Sequence, residues 1–185
     1  MMKFQILQRW QRSAIATLAL IGITFALILT TPLGSRAAEI IRYPIPNSTF
    51  PIARAVEIPA DATLIYLSGQ VPPVIDDTAE PTSIAAFGNT ETQTLGVLTR
   101  IEGILNDLDL TIGDVVKMQV FLVGDPALEG RMDFNGFMAG YTQFFGTETQ
   151  PNLPARSAMQ IAGLVNPGWL VEIEVVAIRP FESEG

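Results

Sequence analysis

The run Val115–Val123 (VVKMQVFLV) constrains this chain more than any other segment. It is crowded with β-branched and apolar residues, and side chains along a strand alternate between two faces. Met118, Val120 and Leu122 fall on one face, while Lys117, Gln119, Phe121 and Val123 bring apolar atoms to the other. Such a strand belongs inside a sheet that is covered on both sides. The stretch from Val171 to Val176 repeats the pattern, with Val171, Ile173 and Val175 alternating with Glu172, Glu174 and Val176. Helices can cover one face. The other is expected to pack against a copy of the same chain, so the protein is expected to be an oligomer.

Around these strands the other elements fall into order. Pro44, Pro46 and Pro51 make residues 38–52 an extended, irregular lead-in, because proline offers no N–H to a ladder. Ala53–Ile58 and Thr63–Gly69 read as strands joined by the turn Pro59-Ala60-Asp61, which suggests a hairpin. Val71–Ser83 is a loop with three prolines, and its Asp76-Asp77-x-x-Glu80 lacks the ligand spacing of a calcium loop. Asn89 or Thr90 caps a helix whose apolar residues at 94/95, 98, 101, 104/105 and 108 recur at helical spacing. Gly96 and Gly103 inside it point either to a close approach to the sheet or to tolerated surface positions.

After Val115–Val123, a second helix is expected from about Glu129 to Phe145, with Phe134, Phe137/Met138, Tyr141 and Phe144/Phe145 on one core-facing stripe. Arg156–Leu164 and Trp169–Ile178 are the last strands, joined through Asn166-Pro167-Gly168. The order is β-β-α-β-α-β-β. Two hairpins flanking two crossovers give an α+β fold, one mixed sheet with both helices on a single face, spanning residues 53–180 ahead of an acidic tail at 181–185.

The first 37 residues differ from the rest. Lys3, Arg9 and Arg12 lead into an apolar run from Ala14 to Leu29, and Ser35-Arg36-Ala37 ends it with small residues. This is the layout of a secretory signal, either cleaved or kept as an N-terminal anchor. The expected location is outside the cytoplasm, periplasmic or extracellular, with membrane attachment only if the segment is retained.

Composition then narrows the chemistry. Of 11 Lys and Arg in the 185 residues, four lie in the leader; the remaining seven face all 19 acids, a net of −12 for the body. That charge opposes nucleic-acid binding. Without Cys or His there is no disulfide, thiol nucleophile, thiolate or imidazole ligand, or His-based triad. Chemistry must run on carboxylates, arginine, lysine, hydroxyls and backbone groups.

Three segments supply them: Ser68-Gly69-Gln70-Val71-Pro72, Pro154-Ala155-Arg156-Ser157 and Val171-Glu172-Ile173-Glu174. Together with Gln93-Thr94, Gly113-Asp114-Val115-Val116-Lys117, Val120-Phe121-Leu122 and Tyr141-x-x-Phe144-Phe145, they resemble the RidA/YjgF family over about residues 50–180. The resemblance implies a chorismate-mutase-like fold, a homotrimer with clefts between subunits, and hydrolysis of 2-imino or 2-enamino acids to 2-keto acids and ammonia without metal or organic cofactor. It also implies roles. Arg156 would clamp the substrate carboxylate, and Glu172 would steer a water. Ser68, Gly69 and the backbone of Ala158 would complete the polar contacts. Where the family usually has Tyr, Asn and Cys, this chain has Ile52, Met138 and Ala158, which makes the pocket more apolar. Without that pattern Arg156 would read as a partner for a nearby acid and Glu172 as an exposed or interface carboxylate. The alternative to an enzyme is a trimer that binds carboxylate metabolites without turnover or protects other proteins.

Overall fold

The computed structural model describes residues 39–179, so the leader at 1–37 and the tail at 181–185 lie outside the described residues. The strands are β1 (Ile41–Pro44), β2 (Ala53–Glu57), β3 (Thr63–Gln70), β4 (Val115–Asp125), β5 (Arg131–Met132), β6 (Ala155–Ile161) and β7 (Val171–Arg179). The helices are α1 (Thr90–Asp107) and α2 (Phe134–Tyr141), with short 3-10 turns at Ile84–Ala86, Ile112–Asp114 and Pro126–Leu128. The sheet runs β1-β2-β6-β4-β7-β3, with β5 added to the end of β4. It is a mixed α+β sheet, as expected.

The apolar run at 115–123 takes the central place its composition demands. β4 pairs in parallel with β6 (Met118↔Arg156, Val120↔Ala158) and antiparallel with β7 (Phe121↔Glu172, Gln119↔Glu174). Met118, Val120 and Leu122, with Val171, Ile173, Val175 and Ala177, are fully or almost fully buried beneath Val97, Leu98, Ile101 and Leu105 of α1 and Phe137 and Tyr141 of α2. On the opposite face Lys117, Gln119, Phe121, Glu172, Glu174 and Val176 are only half-buried, and Tyr66 is 74% exposed.

Neither expected hairpin forms. β3 pairs with β7, and β4 lies between β6 and β7. β7 carries an unbroken buried row that β3 and β4 can both match, whereas Ala53 is the only buried residue of β2. Cross-strand burial therefore outweighs the short connection. The lead-in is not wholly irregular either, because Ile41–Pro44 pairs antiparallel with β2. Pro44 is its last residue, where the register shifts and the missing donor matters least.

α1 begins as read: the Asn89 side chain accepts from Thr92 N at 2.9 Å. Gly96 packs on Pro73 of the preceding loop rather than on the sheet, and Gly103 meets nothing. The second helix is much shorter than expected. Glu129 (φ 58°) and Gly130 (φ 75°) are left-handed, which no continuing helix tolerates, and Arg131–Met132 joins β4 instead. Asp133 then caps α2 through Gly136 N at 2.8 Å. Buried Gln93 ties α1 to the start of β7, donating to the carbonyls of Gly88 and Gly168 and accepting from Leu170 N at 2.7 Å.

Candidate functional site

Arg156 is the second residue of β6 and lies opposite Met118, so its side chain rises on the helical face toward α2. There it enters a ring of aromatic faces. The guanidinium carbon is 4.2 Å from the centroid of Tyr141, 4.9 Å from Phe137, 5.5 Å from Phe50 and 5.9 Å from Phe134. Nη2 is 3.3 Å from the Met138 sulfur, and Nη1 is buried with no hydrogen-bond partner. Burial pulls the guanidinium pKa down. The opposing pull comes from Tyr141, not from a carboxylate among the described residues. Aromatic faces offset part of the desolvation of a cation, about 2 kcal/mol for a well-buried pair, but they give its N–H groups no acceptor. The arginine has an apolar seat and an unfilled edge.

The seat is built from distant parts of the chain. Phe50 stacks on Phe134 with centroids 6.4 Å apart and planes 18° apart. The lead-in is held there by the Tyr141 hydroxyl, which donates to the Pro51 carbonyl at 2.9 Å. Beside it, Arg42 of β1 donates to the carbonyls of Val115, Leu153 and Gly113 at 2.8–2.9 Å. This fastens the first strand to the foot of β4. Burial pushes the Tyr141 phenol up to about 12, with Arg156 and Arg42 pulling partly against it.

The other candidates gather elsewhere. The β3–β7 register slips between Leu67 and Gln70, so Ser68 and Gly69 form a bulge. A Cβ at Gly69 would meet the Glu172 carboxylate, which lies over this glycine and would have to swing aside. Ser68 is exposed, and its carbonyl accepts from Gln70 Nε2 at 3.0 Å. Glu172 stands opposite Phe121 on the face away from the helices. Ala158 lies two residues along β6 from Arg156, on the helical face against the core. A single chain thus brings together Ser68, Gly69 and Glu172, and separately Arg156 and Ala158. It leaves the acid and the arginine on opposite faces of the sheet, with β4 between them.

The reading from sequence missed Phe50 and Arg42. Arg42 carries no sequence signal beyond being an arginine in a strand. The signal for Phe50 was an aromatic residue directly before Pro51, hidden in a segment that looked unstructured. A cleft of about 450 Å³, lined by Leu128, Met132, Phe134 and Gln160 with Arg131, Asp133 and Asn135, shares its Phe134 wall with the ring around Arg156.

Comparison with known proteins agrees with this geometry at the level of family. The family model described as endoribonuclease L-PSP matches residues 47–179. A RutC family protein of Haemophilus influenzae is 33% identical over 135 residues, covering 72% of this chain and 91% of that protein. A protein of Escherichia coli named 2-iminobutanoate/2-iminopropanoate deaminase is 32% identical with the same coverage. Among solved structures, E. coli TdcF with bound serine is 27% identical with a TM-score of 0.50, covering 77% of this chain and 98% of that one. A Rid-family protein of Yersinia pestis has a TM-score of 0.53 at 22% identity, covering 74% and 96%, and shows the same fold. The chain belongs to the RidA/YjgF family, whose members share this chorismate-mutase-like fold.

Proposed function

We propose that this protein hydrolyses 2-imino acids and their enamine tautomers to 2-keto acids and ammonia, without a cofactor, in clefts between the subunits of a homotrimer. The observation that carries the reading is the buried, unpartnered Nη1 of Arg156. A cation seated this deeply with no acid beside it among the described residues calls for an anion from outside, and a planar guanidinium suits a carboxylate. Relatives named as deaminases, and one solved with serine bound, support a small carboxylate ligand.

The chemistry asks little of the protein. Water adds to C2 of the imine, and its proton passes to nitrogen. The resulting carbinolamine expels ammonia and leaves the ketone. Arg156 fixes the carboxylate, which presents C2 to one side, and a carboxylate orients the water and moves its proton. Glu172 of the same chain lies on the wrong face, so the partner subunit's Glu172 takes that role, with Ser68 and Gly69 contributed from the same partner side and the Ala158 backbone from the side of Arg156. Two features favour such an assembly. The face bearing Phe121, Val176 and Tyr66 has no helix over it among the described residues. Beyond the pair Ala53↔Ala155, the outer edge of β6 has no strand beside it among the described residues. A body charged −12 opposes an RNA substrate. The basic and apolar leader supports export, so the imines would be met outside the cytoplasm.

The test generates imino acids in place with an amino-acid oxidase and follows 2-keto acid and ammonia release. Wild-type protein accelerates release above the spontaneous rate. Arg156→Ala lowers kcat/KM by about a hundredfold or more, the loss expected for paired charge-assisted hydrogen bonds. A rate equal to the spontaneous one overturns the enzyme reading, and 2-keto acid binding that persists then identifies a binding module.

A further inference from the structure

The deaminase reading leaves open which imino acids enter the site, and the seat of Arg156 bears on this. Phe137 and Tyr141 are fully buried, so no ligand reaches them. Phe50 is 41% exposed, and Phe134 and Met138 are half-buried. A carboxylate paired with the half-buried Arg156 side chain lies beside Phe50, Phe134 and Met138, two rings and a thioether. These three offer no strong hydrogen-bonding group, so a polar substituent beside them would lose its hydration without replacement. A flat apolar one would be gripped by ring faces and by a pliable sulfur. Beside Phe134 lies the cleft of about 450 Å³, where Leu128 and Met132 stand among the polar groups of Arg131, Asp133, Asn135 and Gln160 and where there is room for a ring-sized side chain.

We infer that Phe50, Phe134 and Met138 determine specificity, selecting 2-imino acids with a large apolar and above all aromatic side chain. This rests on the deaminase reading for its chemistry but not for its binding preference.

The experiment compares imines made from phenylalanine, leucine and alanine by a broad-specificity amino-acid oxidase, and in parallel measures binding of phenylpyruvate and pyruvate. The wild type is expected to favour the phenylalanine imine over the alanine imine in kcat/KM by about tenfold or more. Phe50→Ala and Met138→Asn each cut that ratio by about tenfold. Phe50→Leu replaces Phe50→Ala should circular dichroism show the latter unfolded. A flat ratio in the wild type overturns the selectivity and leaves the deaminase reading standing. A ratio that survives both substitutions overturns the assignment to these residues. If no imine is turned over but phenylpyruvate binds more tightly than pyruvate, the selectivity holds and the deaminase reading fails. If neither turnover nor preferential binding appears, both fail.

Discussion

Tyr141 is buried between Arg42 and Arg156, and its hydroxyl serves the Pro51 carbonyl. Its phenol is raised from 10.0 to about 12, chiefly by burial. A group that holds its proton more tightly when folded stabilises the fold fully below its unfolded pKa and loses that contribution as pH rises through the folded value. Stability is therefore predicted to fall between pH 10 and about 12. Tyr141→Phe should flatten this part of the thermal-midpoint curve, at a cost of about 1 kcal/mol at neutral pH for the lost hydrogen bond. A tyrosinate absorbance titration checks the same point, since the variant should lack the component near pH 12. Residues like these were only half visible in advance. Arg156 stood out because Pro154-Ala155-Arg156-Ser157 is a pattern, and Phe137 and Tyr141 because helical spacing marks a core stripe. Phe50 comes from a proline-rich stretch far along the chain, and no local periodicity connects it to Arg156.

The elements follow local chemistry where their ends are marked and depart from it where they are not. α1 starts where its cap says it should. Asn89→Ala is predicted to cost about 1 kcal/mol, read as a lower urea midpoint with an unchanged slope. α2 is shorter than its aromatic stripe suggested because the stripe outlasts the helix. Phe144 N and Phe145 N still bond to the Tyr141 carbonyl, and Gly146 (φ 74°) then ends the turn. The true start was legible in Gly130 followed by Asp133, a break and then a cap. β1 was hidden by its final Pro44 and the prolines that follow, although a proline at a strand's last residue removes no needed donor.

At the scale of the molecule the decisive fact is that Arg156 and Glu172 flank β4 on opposite faces. The proposed trimer therefore predicts complementation. Arg156→Ala and Glu172→Gln proteins, each inactive alone, should recover about a quarter of wild-type activity when dissociated and reassembled together, since random assortment pairs an intact arginine with an intact acid at that frequency. Light scattering should give three times the chain mass. A monomer, or mixing without recovery, would count against shared sites. Most of the strand and helix types, the apolar rows and the short list of chemically able residues could be read from amino-acid order, because each depends on neighbours a few positions apart; β1 and the short β5 were the exceptions. Which strand lies beside which could not be read that way. β4 separates β6 from β7, and β3 leaves β2 for β7, because burying the apolar rows of β4 and β7 outweighs chain proximity. That balance exists only once distant segments meet. The same long-range packing turned an ordinary strand arginine into a cation ringed by aromatic faces, with one buried nitrogen left without a partner.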